Sequence, residues 1–72
     1  MTLTGLTSSL VNHLSVVNLR LALLEGSEPQ AAADASLDLM RRILLEAGMT
    51  DQEAEITLSS PRELLDLVVS RL

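Results

Sequence analysis

Cysteine is absent from the 72 residues, which excludes disulfide staples and thiolate metal sites. Phenylalanine, tyrosine and tryptophan are absent too, so any core must be assembled from Leu, Val, Ile, Met and Ala. Lysine is missing as well: all five basic residues are Arg, set against ten acids, for a net charge of −5. The Arg-only bias is what a GC-rich coding genome produces and says nothing about function. An acidic chain with dispersed cations has little attraction for phosphate backbones or anionic lipids, so neither nucleic acid nor a membrane is expected as a partner. No apolar run is long enough to span a bilayer. The longest apolar region, Leu10 to Leu24, is interrupted by Asn12, His13, Asn18 and Arg20. The basic start and cleavage site of a signal peptide are not found, which makes a cytoplasmic location the expectation.

What is present points to a folded helical domain. The hydrophobic fraction, 47%, is far above that of a disordered chain. The length suits one domain over residues 1–72, but a core of that size is marginal without staples. Burial against a partner is the stabiliser that remains. One local grammar occurs three times: Ser or Thr, then Glu or Gln three residues later, then an apolar stretch. The instances are Ser27-Glu28-Pro29-Gln30, Thr50-Asp51-Gln52-Glu53 and Ser60-Pro61-Arg62-Glu63. Each reads as a capping box, in which two side chains satisfy orphan backbone N–H groups at a helix start.

The first helix is predicted from about Thr4 to Glu25. Leu10, Leu14, Val17, Leu21 and Leu24 recur at spacings of 4, 3, 4 and 3, with Leu3 and Leu6 continuing the stripe upstream. Val16, Leu19 and Leu23 form a second patch on roughly the opposite side at about 100° per residue. A surface helix needs one apolar stripe, and this one has two. The expectation is that the longer stripe packs inside the chain and that Val16, Leu19 and Leu23 bind a partner, a second copy first of all.

Gly26 is placed to end this helix in a left-handed conformation. Ser27 would cap a second helix from Glu28 to Ala47, with Pro29 tolerated in the first turn. Its apolar face is Ala33, Leu37, Met40, Ile43, Leu44 and Ala47, while Asp38 and Arg42 form a favourable i,i+4 pair. The short connection implies an antiparallel hairpin. Gly48 ends the second helix and Thr50 caps a short third element, Asp51 to Leu58, whose alternation at Ile56 and Leu58 also permits an extended strand. Ser60 and Pro61 open a C-terminal helix carrying Leu64, Leu65, Val68 and Leu72. The expected fold is therefore all-α: a small helical bundle made of an antiparallel hairpin, a short third helix and a C-terminal helix.

Candidate chemistry is sparse. His13 is the one residue of a type whose reference pKa is near neutral, and a helical His can accept phosphate in phosphotransfer bundles. The segment Asn12-His13-Leu14-Ser15-Val16-Val17 resembles the first helix of histidine-kinase dimerisation hairpins, which read Asn-Leu-Leu-Thr-Val-Ile shortly after the phosphorylated His. In that alignment the phosphoacceptor position falls at Ser8, and no ATP-binding domain follows. The resemblance implies a mimic or docking partner of signalling proteins, not a kinase. Glu46-Ala47-Gly48-Met49-Thr50-Asp51-Gln52-Glu53 resembles the first turn of helix-turn-helix domains. The would-be recognition helix, Pro61 to Leu72, however, is dominated by Leu and Val with Glu63 and Asp66 offsetting Arg62 and Arg71, a poor surface for reading bases. Asp34, Asp38 and Glu46 share a helix face but lack the Glu-x-x-His partners of carboxylate metal sites, and Met1, Met40 and Met49 do not make a Met-rich groove. The expectation is a small non-enzymatic protein-interaction module, such as an adaptor, chaperone-like factor or inhibitor, acting as a homodimer. No catalytic, cofactor or metal residue is assigned. The alternatives are a phosphorelay component using or mimicking the His13 region and, third, a helix-turn-helix regulator.

Overall fold

The computed structural model describes the backbone of residues 3–72 and the side chains from Ser9 onward. Three helices follow in order: α1 (Leu3–Leu24), α2 (Pro29–Glu46) and α3 (Asp51–Ser70). No strand occurs among the described residues. Each helix packs against both of the others. The Cα radius of gyration is 12.0 Å, close to the roughly 11 Å typical of a compact chain this long. The all-helical expectation holds, with three helices in place of four.

Gly26 and Gly48 end their helices as their positions predict. Gly26 has φ 94° and Gly48 φ 103°, a region in which a Cβ is strained. Around each, the chain folds back to satisfy orphan carbonyls: Ser27 N–H donates to the Ala22 carbonyl at 3.0 Å, and Met49 N–H to the Leu44 carbonyl at 3.1 Å. The helix starts agree less well with the three predicted capping boxes. Thr50 and Glu53 form a complete one: Glu53 N–H donates to Thr50 Oγ1 at 3.1 Å and Thr50 N–H to Glu53 Oε1 at 2.9 Å. The Thr50 backbone N–H, and after it the Thr50 side chain, hold the Glu53 carboxyl below the ordinary glutamate range. At α2 the cap is Glu28, one residue after Ser27. Its two carboxylate oxygens accept from the N–H groups of Gln30 and Ala31, each at 3.1 Å, with Pro29 at the first helical position. A charged carboxylate here also meets the positive end of the helix dipole, which favours it over the neighbouring hydroxyl.

The third predicted start does not exist. Ser59, Ser60 and Pro61 lie inside α3, and Ile56 and Leu58 are helical, not extended. An interior proline removes one i→i−4 bond and crowds the preceding turn. Two features offset that cost. The Pro61 ring is fully buried. In addition, Ala54, Leu58, Pro61 and Leu65 recur at spacings of 4, 3 and 4 as the buried residues of α3, in unbroken helical phase across the proline. A break at Ser60 would have thrown the two halves of that stripe onto different faces.

The core has two centres. Val11, Met40, Leu44, Ala54 and Leu58 form one, with Leu14, Leu37 and Met49 packed against it. Leu19, Ala32, Ala33 and Leu65 form the other, with Val16, Ala22, Leu23, Leu37, Val68 and Val69 around it. The small side chains Ala32 and Ala33 of α2 meet Leu19 of α1 and Leu65 of α3, so large residues fill the space that small ones leave.

Candidate functional site

The packing of α1 reverses the assignment of its two stripes. Leu19, expected on a partner surface, is 1% exposed and sits in the chain's own core, with Val16 and Leu23 half-buried beside it. The patch that sequence pattern left uncovered is covered by α2 and α3. The stripe expected to be core is the one that faces out: Leu10 is 56% exposed, Leu21 52% and Leu24 78%, with Val17 exposed between them and Leu14 half-buried at its edge. The upstream positions Leu3 and Leu6 lie outside the described side chains, as does Ser8. A polar residue hides the buried face from a reading of apolar spacing. The buried face of α1 runs Val11, Ser15, Leu19, and Ser15 at its centre is wholly buried. Its carbonyl accepts a hydrogen bond from the buried Ser36 hydroxyl of α2 at 2.7 Å. A count of Leu and Val alone passes over a serine at the centre of the face.

The outward stripe continues onto α2. Leu39 and Ile43 of that helix are exposed large aliphatics. Leu21 and Leu39 line a shallow groove of about 260 Å³ between the two helices, floored by Ala22, Ala32, Ala35 and Ser36. Asn18 and Glu25 line the same groove, so the apolar side chains of Leu21 and Leu39 meet there with polar ones between them, and exposed apolar side chains mark an association site when they are contiguous. Ile56 and Leu67 are also exposed, but on α3.

Several charged residues link one helix to another. Arg41 of α2 reaches across to α3, where it pairs with Glu55 and, at 3.4 Å, with Asp51. Glu55 is also approached by Arg62 at 3.8 Å. These are half-exposed pairs of small individual worth, but they tie α2 to the first half of α3. The anticipated Asp38–Arg42 pair is not formed. Asp34 instead accepts from Gln30 Nε2 at 3.3 Å. Asn12, on α1, donates to Ser60 of α3 at 3.1 Å, and Asn18 donates to the Leu14 carbonyl at 3.0 Å.

His13 is exposed, beside the outward stripe. Among the described residues no three His, Asp or Glu side chains come together as a metal-binding set. No described helix is long and apolar enough to cross a membrane. The would-be recognition helix, Pro61 to Leu72, is not a separate helix, because α3 runs unbroken from Asp51 to Ser70. No known family model matches the chain, and no curated protein or solved structure matches it either.

Proposed function

We propose that this chain is a small non-enzymatic protein-interaction module whose docking surface is the outward stripe of α1, extended by Leu39 and Ile43 of α2. The observation that carries the reading is the placement of Leu10, Val17, Leu21 and Leu24 in solvent while Leu19 of the same helix is buried. Fully burying one such side chain contributes about 1.5–3 kcal/mol, so covering even half the area of four of them is a substantial driving force before association entropy is subtracted. Self-association is the first expectation, and an adaptor-like or inhibitory contact with another protein uses the same helix face. An antiparallel α1–α2 hairpin belongs to this reading. It is supported by the four residues that connect the two helices and by the Ser36–Ser15 bond between their middles.

The test separates folding from association. Val17→Glu combined with Leu21→Glu changes two exposed positions, so helicity and thermal stability of the isolated chain should be retained. Concentration-dependent association, and capture of any protein retained by the wild type, should be lost. A folded double variant that associates and captures as the wild type does would refute the reading. Phosphotransfer remains as the second reading only through the exposure of His13.

A further inference from the structure

Resting on the interaction-module reading, we propose that the occupant of this surface is a second copy of the chain, its α1 lying parallel and in register against the first as a two-stranded coiled coil. The two faces of α1 differ in period. The buried face, Val11, Ser15, Leu19 and the half-buried Ala22, advances by 4, 4 and 3 residues, close to that of a straight α-helix. The outward stripe, Leu10, Leu14, Val17, Leu21 and Leu24, advances by 4, 3, 4 and 3. That is a 3.5-residue repeat, the period at which one helix stays in contact with another along a supercoiled seam. With Leu14 and Leu21 at the a positions and Leu10, Val17 and Leu24 at d, the seam holds no charged or amide side chain, and Leu14, half-buried, also packs against the chain's own core. A helix is thus the shape this face fits.

Charge selects which helix. The residues flanking the seam are His13 and Arg20 on one edge (the g positions) and, on the other (the e positions), the core residue Val11, the half-buried Asn18 and Glu25, which directly follows the last residue of α1. In a parallel pair, a g residue meets the e residue five positions on in the other helix. Arg20 then faces Glu25 of the second copy, and Glu25 faces its Arg20, while His13 faces Asn18 of the second copy. Arg20 and Glu25 are exposed and make no ion pair within the chain among the described residues. In the antiparallel alternative centred on Val17, Arg20 is brought to His13 of the second copy and Glu25 is left opposite Val11. The self-complementary charge pattern therefore favours two parallel copies over an antiparallel pair.

The absence of cysteine makes the test direct. Single Val17→Cys, Leu24→Cys and Ile56→Cys variants are oxidised at a concentration where association is measured by sedimentation. Parallel pairing brings both seam positions to their own counterparts, so Val17→Cys and Leu24→Cys should each form disulfide-linked dimers quickly, while Ile56→Cys, on α3, reports random collision. In the antiparallel register the two position-24 residues lie about 20 Å apart and cannot bridge. Cross-linking at position 17 but not 24 overturns the parallel proposal yet leaves the surface an interface. Cross-linking at neither seam position above the Ile56→Cys rate overturns the second copy as occupant, and the capture comparison of the double variant then judges the broader reading alone. Charge provides the second arm. Arg20→Glu should weaken self-association about tenfold by replacing two exposed attractions with two repulsions, and Arg20→Glu combined with Glu25→Arg should restore it to within about threefold. Tighter association of Arg20→Glu, which antiparallel pairing with His13 would produce, contradicts the proposal.

Discussion

Replacing Leu19 by Ala tests which side of α1 is core. The Leu19 side chain is 1% exposed and touches the Ala32–Ala33 shelf of α2 and Leu65 of α3. Ala32 and Ala33 are too small to close over a vacated leucine, so the site cannot collapse easily and the truncation leaves a cavity. Leu→Ala changes at such positions cost about 2–5 kcal/mol. A chain of this length has roughly 4–11 kcal/mol of stability in total, so the variant loses a large share of it. At about 4–8 °C per kcal/mol for a domain this small, a loss of about 3 kcal/mol lowers Tm by roughly 12–24 °C. Leu21→Ala, two residues away but 52% exposed, should change the stability of the monomer by less than about 0.5 kcal/mol. Urea and thermal melts followed by far-UV circular dichroism make the comparison. A dilution series separates any loss of association by Leu21→Ala from loss of intrinsic stability, since only the former depends on concentration. If Leu21→Ala costs more than Leu19→Ala at the lowest concentration, the placement of the two stripes is reversed and the reasoning built on it fails.

Other positions have equally definite expectations. Thr50→Ala should destabilise by about 1 kcal/mol through loss of the cap on α3, read from urea melts. Because the folded state lowers the Glu53 pKa, the carboxylate's contribution to that box is complete above its unfolded pKa of about 4.3 and is lost as the pH falls through the lower folded value. Stability that rises on acidification across that range would contradict the assignment. Ser60→Ala, expected from sequence pattern to remove a cap, should instead cost less than about 0.5 kcal/mol, because Ser60 is an exposed interior residue that only accepts a bond from Asn12. His13→Ala should change stability by less than about 0.5 kcal/mol as well. Wild-type protein incubated with phosphodonors should retain no acid-labile phosphate, and retention would favour phosphotransfer.

Much of this fold was legible in the sequence because the signals were local. Gly26 and Gly48 mark helix ends through a backbone conformation that only they adopt easily, and Thr50 with Glu53 closes a box within four residues. At one place a local signal conflicts with helical phase. Ser60-Pro61-Arg62-Glu63 has the composition of a helix start, yet Ala54, Leu58, Pro61 and Leu65 hold one helical phase through it, and burial of the proline ring secures the continuous helix. That shared phase joins the two segments into one helix. The stripes of α1 were legible as two stripes but not as core and surface. Hydrophobicity alone ranks Leu10, Leu14, Val17, Leu21 and Leu24 above a face containing Ser15. Ser15 lies inside with its backbone carbonyl accepting from the Ser36 hydroxyl of α2, a tertiary contact with no sequence spacing of its own. The different periods of the two faces were the available signal.

Methyl NMR of the wild-type chain in the presence of a soluble paramagnetic agent, followed over a concentration series, tests the outward stripe of α1 most directly. At low concentration the methyl groups of Leu10, Val17, Leu21 and Leu24 should broaden strongly, while those of Leu19, Leu58 and Leu65 stay sharp. As the concentration rises, the α1 stripe should become protected, and Ile56 and Leu67 on α3, equally exposed in the single chain, should not. Broadening of the α1 stripe that is unchanged at every concentration, or protection that appears at Ile56 and Leu67 instead, would contradict self-association through this face.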